Sequence, residues 1–415
     1  MHPTLSTCQK RAFETLKGTD NVFLTGAAGS GKSFLLREFL HDKDRKKFPI
    51  LASTGAAAIL VGGRTFHSFF GLGIMEGGVE NTIERALGNK RLVKRLKKTD
   101  GVVIDEISMI SGPTLRAAEA IARKGRGSTR PWGGLRVIAV GDFAQLPPVN
   151  PFSSKKEWAF LEPVWYESEF KPVVLNEIMR TQDRKFLEVL NFIREGVVCD
   201  PVSDFLTSRI QKTVSHFEGT RLLARKEDVE RYNLSHLEKI NSALETFQTT
   251  YNGKEQEIEK FKRNSPIADV IQLKKGSLVM IRQNDPEGKW VNGSMGSIEK
   301  IKDDRLSIKL SNGRHVEIEK AVFTLLDAEG TPVVTATNFP VALAWAFTIH
   351  KAQGTTLDQA WIDLRRLWEP GQAYVALSRV KASSGLFVEG WDLQSISADP
   401  EVKRFHSSLI SEASN

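Results

Sequence analysis

Residues 26–33 read Gly-Ala-Ala-Gly-Ser-Gly-Lys-Ser, a spacing whose glycines let backbone N–H groups wrap a run of phosphates. In such a loop Gly26, Ala27, Ala28, Gly29, Ser30 and Gly31 form the cradle. Lys32 reaches the β- and γ-phosphates, and the Ser33 hydroxyl holds Mg²⁺. Asp105 and Glu106 end the apolar run Val102-Val-Ile, which puts two carboxylates at the carboxyl end of a buried strand, where ligands gather in open α/β sheets. Beside a phosphate loop, Asp105 suits a Mg²⁺ ligand, direct or through water, and Glu106 suits the base that orients and deprotonates an attacking water. Without the loop, two adjacent acids would read as an ordinary loop start. Gly141-Asp-Phe-Ala-Gln-Leu-Pro-Pro148 follows another apolar run; Gln145 can sense a γ-phosphate, and the two prolines stiffen the exit. Arg180 and Arg379 lie far downstream. An arginine that reaches a transferring phosphoryl group contributes about 10³–10⁵ in rate, so their distance from the loop predicts a second core that closes over the nucleotide.

The elements that would position these residues follow from the apolar patterning. Val22–Leu24, the glycine loop and Phe34–Leu40 read as strand, turn and helix, and Pro49–Ala52, Val102–Ile104 and Val137–Val140 repeat the buried-strand signal. Residues 1–168 are therefore expected to form one parallel sheet wrapped by helices, including a helix over Thr114–Ala122. A second α/β unit is expected from about Lys171, with strands at Val173–Leu175 and Arg221–Ala224 and a helix over Phe186–Arg194 stopped by Gly196. Between Ser277 and Leu326 the pattern changes to period two: Leu306, Ile308 and Leu310, then Asn312-Gly313, then Val316 and Ile318. That is a hairpin signature, with Asn-Gly expected to supply positive φ. The second core is thus expected to span 169–264 and 332–415, split by an all-β insert at 265–331. Tyr251–Asn264 is charge-rich and unpatterned.

The 415 residues exceed what one hydrophobic core usually serves, so at least two domains are expected. Only Cys8 and Cys199 are present, without metal-ligand spacing, which fits a reducing compartment, the cytoplasm. No basic leader precedes an apolar stretch, and no window approaches the roughly 18 apolar residues of a membrane span, so no membrane association is expected. Net charge is +8, which favours a polyanionic partner. Its densest concentration is Arg85, Lys90, Arg91, Lys94, Arg95, Lys97 and Lys98, interleaved with Leu87, Leu92, Val93 and Leu96. That stretch suits equally an amphipathic helix with a solvated basic face and a contact for a phosphate backbone.

Taken in order, Gly26–Ser33, Ser53-Thr-Gly-Ala-Ala57, Thr65-Phe-His-Ser68, Ile104-Asp-Glu-Ile-Ser-Met109, Gly141–Val149, Thr348-Ile-His-Lys-Ala-Gln-Gly354 and Tyr374-Val-Ala-Leu-Ser-Arg379 resemble the ordered motifs of superfamily 1 helicases. Ser-Met after the acids, Gln-Leu-Pro-Pro-Val, and Trp290-Val-Asn-Gly-Ser-Met-Gly296 resemble the PIF (petite integration frequency) helicases of its 5′-to-3′ branch. Cys8, where an acid often precedes the glutamine, and Trp132, where Phe-Gly-Gly is usual, depart from that pattern. The resemblance runs from about Leu5 to Val388. It implies two tandem RecA-like parallel-sheet cores with ATP and Mg²⁺ between them, an SH3-like β insert in the second core, and a small insert near 73–98. It further implies Gln9 near the adenine, Lys32, Ser33, Asp105, Glu106 and Gln145 from the first core, and Arg180, Gly354 and Arg379 from the second. Single-stranded DNA would run past Thr54, Thr65 and His67, then past Thr348, His350 and Lys351; on residue type alone each histidine is as well a hydrogen-bonded structural group.

The activity so implied is ATP-dependent 5′-to-3′ translocation on single-stranded DNA with unwinding of forked or tailed duplex, by a protein that is monomeric in solution and able to dimerise on DNA. The rival expectations are a RecD-like motor within a recombination or nuclease complex, and an ATP-controlled remodeller that clamps nucleic acid without unwinding it.

Overall fold

The computed structural model describes residues 5–413 except 74, 76, 77, 149–155, 212–216, 218, 264, 266, 286, 291 and 327–330. Val149 and Val291 of two quoted motifs, part of the expected 73–98 insert, and Asn264 fall outside the described residues.

Six parallel strands form the first sheet: β1 (Val22–Gly26), β2 (Ile50–Ala52), β3 (Arg64–Thr65), β4 (Gly101–Ile104), β5 (Arg136–Val140) and β6 (Lys171–Leu175), in the order β3-β2-β4-β5-β1-β6. Every residue of β1, β2 and β4 is buried, because helices cover both faces; this is why these strands read as continuous apolar runs rather than alternations. Since β4, β5 and β1 are neighbours, the phosphate loop, Asp105-Glu106 and Gly141–Gln145 leave the sheet side by side along one rim.

The second sheet is also parallel and has four strands, ordered Ala346–Thr348, Thr220–Leu223, Ala360–Leu364 and Leu386–Trp391. The all-β insert pairs His315–Glu319, Arg305–Leu310, Met295–Ile301, Leu278–Ile281 and Val341–Leu343 in that antiparallel order around Ile298, Ile308, Ile318 and Phe339. The fold is α/β, with two RecA-like parallel-sheet cores and a small all-β insert in the second. Among the described residues no helix is long and apolar enough to cross a membrane.

The structure departs from the sequence expectation in five respects. The strand near Val173–Leu175 is β6, and it pairs with β1 throughout (Val22 with Lys171, Gly26 with Leu175), so the first sheet runs past residue 168. Val341–Leu343, within the span expected for the second core, closes the insert sheet by pairing with Leu278–Ile281. Ala321–Leu326 pairs with Pro332–Asn338, which pairs in turn with Thr250–Gly253, so a separate three-stranded sheet links segments assigned to the insert and the second core. Ile258 and Phe261 of the helix Glu255–Arg263 fill the core of that sheet beside Phe323 and Val334, so the charge-rich stretch is a packed element. The hairpin at Asn312-Gly313 forms, but only Gly313 has positive φ (83°). It is a three-residue loop with glycine in the left-handed position and not the two-residue mirror turn.

The last helix, Pro400–Ala413, belongs by packing to the first core. Phe405 sits among Phe23, Phe143, Phe160 and Trp165, stacked on Phe160 at 4.3 Å and 8°. Each such aromatic pair contributes about 0.5–1.5 kcal/mol beyond its buried area. The Trp158 indole N–H donates to Asp399 Oδ2 at 3.0 Å, on the approach to the helix.

Candidate active site

The phosphate loop turns from β1 into the helix Lys32–Leu40 through three glycines with positive φ: Gly26 (151°), Gly29 (84°) and Gly31 (89°). All three are also sterically confined: a Cβ on Gly26 would lie 2.6 Å from the Leu175 carbonyl oxygen. A Cβ on Gly29 would lie 2.6 Å from Arg180 Cβ, and one on Gly31 would lie 2.3 Å from Gln9 Nε2. Gln9 is buried and braces the loop: its Nε2 donates to the Ser30 carbonyl at 3.3 Å, and its Oε1 accepts from Ser6 N–H in the capping box that starts the helix Thr7–Lys17. Lys32 Nζ donates back to the carbonyls of Gly26 (2.7 Å) and Ala27 (3.2 Å). Burial draws this ammonium below its usual range, while Asp142 and Glu106 act in the opposite direction. The Ser33 side chain is exposed in the first helical turn.

Asp105 and Glu106 emerge from β4. Glu106 holds left-handed backbone (φ 52°, ψ 52°), a conformation costing of order 1 kcal/mol or more for a residue with a Cβ and concentrated at functional sites. Its N–H donates to Asp105 Oδ1 at 3.0 Å. Both carboxylates keep an edge open to the cleft, yet the protein crowds them enough that desolvation dominates. Burial, reinforced by the neighbouring Asp105 charge, pushes the Glu106 carboxyl up to about 7, against Lys32 and Arg379. Burial likewise raises Asp105, with the Glu106 N–H and Lys32 opposing. A base poised near neutrality is what proton abstraction at physiological pH requires.

Asp142, fully buried, follows β5. Burial alone would raise its carboxyl, but Arg194 and Lys32 hold it well below the usual range. Arg194 Nη2 donates to Asp142 Oδ1 at 2.8 Å, and His406 Nε2 stands 3.8 Å from the same oxygen. Burial, then Arg194, depress the His406 imidazole to about 4. Asp142 in turn orders Gln145, whose backbone N–H donates to the Asp142 carbonyl (3.0 Å) and whose Nε2 lies 3.5 Å from Oδ2.

Three contacts bring the second sheet onto this rim. Gln353 Nε2 donates to Glu106 Oε2 at 3.1 Å and lies 3.5 Å from Gln145 Oε1. Ala28 N–H, within the phosphate cradle, donates to the Tyr374 hydroxyl at 2.8 Å; burial and then Asp142 push that phenol up to about 12, so it is neutral. Arg180 Nη1 donates to the Ser378 carbonyl, next to buried Arg379. Burial and then Arg180 lower Arg379 to about 9. Arg379 Nε donates to the Val375 carbonyl (2.8 Å) and Nη2 to Ser378 Oγ (2.8 Å). The two arginines therefore converge, although Arg180 arrives on the segment leaving β6 of the first sheet, tied by Met179 N–H to the Gly29 carbonyl at 2.8 Å, and not from the second core as expected.

The family model for PIF1-like helicase matches residues 4–203. The ATP-dependent DNA helicase Pif1 of Bdellovibrio bacteriovorus is 50% identical over 402 residues, covering 97% of this chain and 91% of that protein. The chain belongs to the PIF1-like helicase family. Among solved structures, Bacteroides sp. Pif1 in complex with ADP-AlF4 superposes with a TM-score of 0.85 at 29% identity, covering 99% of this chain and 98% of that one. The Bacteroides Pif1 complex with ADP-AlF3 and single-stranded DNA covers the same shares at 28% identity, with a TM-score of 0.69.

In this PIF1-like helicase the remaining expected residues are placed as follows. Thr54 and Thr65 cap the short helices Gly55–Leu60 and Phe66–Phe70, their hydroxyls accepting from Ala57 N–H (3.2 Å) and Ser68 N–H (3.1 Å). His67 is part-buried, and burial lowers its imidazole. Thr348 is buried and accepts from Lys351 N–H at 3.1 Å. Burial lowers His350, with Glu369 opposing; it also lowers Lys351, helped by Arg282 and Lys226. Gly354, exposed at φ 76°, has open space where a Cβ would point. Within the basic stretch Arg95 turns inward, Nη2 donating to the Phe69 carbonyl at 2.6 Å and the guanidinium lying over the Phe69 ring at 5.3 Å, while Lys90, Arg91, Lys94, Lys97 and Lys98 stay exposed. Gln353 and Tyr374 were missed as site residues although both lie inside quoted motifs. The only signal was their place in those motifs, one residue before Gly354 and five before Arg379.

Proposed function

We propose that this PIF1-like helicase hydrolyses ATP in the cleft between its two parallel sheets and uses the closure of that cleft to move 5′ to 3′ along single-stranded DNA, separating duplex ahead of it. The observation that carries the reading is the Gln353 bridge. One side chain at the carboxyl end of a second-sheet strand touches both the candidate base Glu106 and the candidate γ-phosphate sensor Gln145 of the first sheet. Gln353 lies in the same seven-residue segment as Thr348, His350 and Lys351, the residues we assign to DNA. Occupancy of the DNA track is thereby mechanically linked to the hydrolytic carboxylate. Each DNA stacking step costs about 1.4 kcal/mol to undo, so net strand separation needs repeated energy input, which ATP supplies.

Mg²⁺ fits the residues present. No cluster of three or more His, Cys, Asp or Glu side chains among the described residues forms a closed metal cage. The Ser33 hydroxyl and Asp105 are the one- or two-ligand set that Mg²⁺ takes when phosphates and water complete its shell. When bound, the ion would neutralise charge on the phosphates. The chain's own part is to cradle the phosphates with the amides of residues 26–31, to reach them with Lys32, Arg180 and Arg379, and to take a proton from water at Glu106. Gln9 is assigned to the adenine and Gly354 to the nucleotide, and Thr54, Thr65 and His67 to the first half of the DNA track. The partners are single-stranded and forked or tailed duplex DNA, met as a monomer that can pair on DNA. With Cys8 and Cys199 as free thiols, we place the protein in the cytoplasm.

The test is strand displacement with ATP on two partial duplexes, one with a 5′ single-stranded tail and one with a 3′ tail. Displacement of the 5′-tailed duplex alone is expected. Displacement of the 3′-tailed one overturns the direction. Failure on both with DNA-stimulated hydrolysis intact replaces the reading with a remodeller or a partner-dependent motor.

A further inference from the structure

Trp368 is a large aromatic that the fold leaves largely outside: 53% of its surface is open. Its backbone is nevertheless held at every step. Arg366 N–H donates to Asp392 Oδ2 (3.3 Å) and Leu367 N–H to Ser395 Oγ (3.3 Å), while the N–H groups of Trp368 and Glu369 both donate to Gln372 Oε1 at 3.2 Å. Glu369 Oε2 then meets Lys156 Nζ at 2.6 Å across the cleft. A loop fixed so firmly presents its side chain in one place, yet that side chain adds little to the core.

Its surroundings are cationic and lie on one rim. Trp368 follows the strand Ala360–Leu364. Arg225 follows the adjacent strand Thr220–Leu223, and its guanidinium lies 6.0 Å from the Trp368 ring centroid. Lys226 comes next in sequence and bears electrostatically on Lys351, while Glu369 bears on His350. His350 and Lys351 follow the third strand of the row, Ala346–Thr348. The carboxyl ends of three neighbouring parallel strands thus bring one exposed indole together with Arg225, Lys226 and Lys351.

We propose that Trp368 is a stacking platform for a base of single-stranded DNA, with Arg225, Lys226 and Lys351 holding the flanking phosphates. An aromatic face beside a basic groove is how sequence-tolerant single-strand binders grip, because every base has a π face, and Arg225 over the ring leaves a preformed plane for a base to join. This rests on the reading that the chain binds single-stranded DNA.

The experiment is a four-way comparison by fluorescence anisotropy: wild type and Trp368→Ala, each against labelled oligothymidine and an abasic strand of equal length, across a salt series. Stacking of one base is worth about fivefold to a hundredfold in affinity. Wild type is expected to prefer the thymidine strand, and Trp368→Ala to lose at least about fivefold on it while changing little on the abasic strand. The salt slope should stay the same, since no phosphate contact is removed. Trp368→Phe should recover most of the loss, which separates stacking from misfolding. An equal loss on both strands, no loss on either, or no rescue by phenylalanine overturns the platform while leaving the single-strand reading intact. Failure of the wild type to bind either strand removes both.

Discussion

Removing the Gln353 amide should move the pH dependence of ATP turnover. Gln353 Nε2 donates to Glu106 Oε2 at 3.1 Å, a hydrogen bond that favours the ionised carboxylate in a site where burial and Asp105 push that group up to about 7. A hydrogen bond to a charged group contributes about 1.5–3 kcal/mol, and the cleft is partly open, so the lower end applies. At about 1.4 kcal/mol per pH unit, Gln353→Ala raises Glu106 by about one further unit. The ionised fraction at pH 7 then falls from about a half to about a tenth, a loss of about fivefold in kcat/KM that vanishes near pH 9. The assay is DNA-stimulated phosphate release, with kcat/KM for ATP measured from pH 5.5 to 9.5, a quantity that reports groups of the free enzyme. Comparing variant with wild type cancels the titration of the nucleotide itself. An acid limb that stays in place, or a deficit of the same size at every pH, refutes the link between Gln353 and Glu106.

Glu106→Gln should leave ATP binding in place while turnover drops at least about a hundredfold, the lower bound for losing a general base; equilibrium nucleotide binding beside steady-state hydrolysis checks it, and unchanged hydrolysis removes Glu106 from the role. Tyr374→Phe frees the Ala28 N–H, which our reading gives to a phosphate. One neutral hydrogen bond, about 0.5–1.5 kcal/mol net, predicts ATP affinity about two- to tenfold tighter by titration calorimetry, and weaker binding would contradict it. Arg194→Met strands the buried Asp142 charge and should cost about 3–5 kcal/mol in urea unfolding at pH 7. The folded Asp142 carboxyl is depressed, so the pair's stabilisation is complete above the ordinary carboxylate value of about 3.9 and disappears as pH falls through the lower folded value. Without Arg194, burial raises the Asp142 carboxyl above its wild-type value, so the variant's deficit should be largest at neutral pH and shrink as falling pH protonates Asp142; a deficit of the same size at every pH would refute the pairing.

The residues we assign to phosphate chemistry were legible because their pattern is local. Gly26–Ser33 needs its glycines at fixed offsets, as the steric contacts of Gly29 and Gly31 show, and Asp105-Glu106 is announced by the apolar run before it. The strands themselves were equally legible; which sheet owns each was not. Val173–Leu175 reads as a buried strand wherever it pairs, and nothing in five residues tells that its partner is β1, some 150 positions upstream. The same applies to Val341–Leu343, whose neighbour is Leu278–Ile281. The Asn312-Gly313 turn was placed correctly in sequence but misread in geometry, because the same pair serves two-residue and three-residue loops. Gln353 and Tyr374 act through contacts across 247 and 346 residues, and such contacts leave no periodicity to read.

The helix Pro400–Ala413 leaves the second sheet and beds Phe405 in the aromatic cluster of the first, while β6, where the chain departs for the second core, lies hydrogen-bonded to β1. The second core is thus an excursion of one polypeptide, pinned to the first where it leaves and where it returns. Once the cleft contacts of Gln353, Tyr374 and Ser378 release, these two crossings remain, and a body held at two points swings about the line joining them, as a door does on paired hinges. Each round of nucleotide exchange would then retrace one arc, so the direction of the stroke is set by where the chain crosses between the cores.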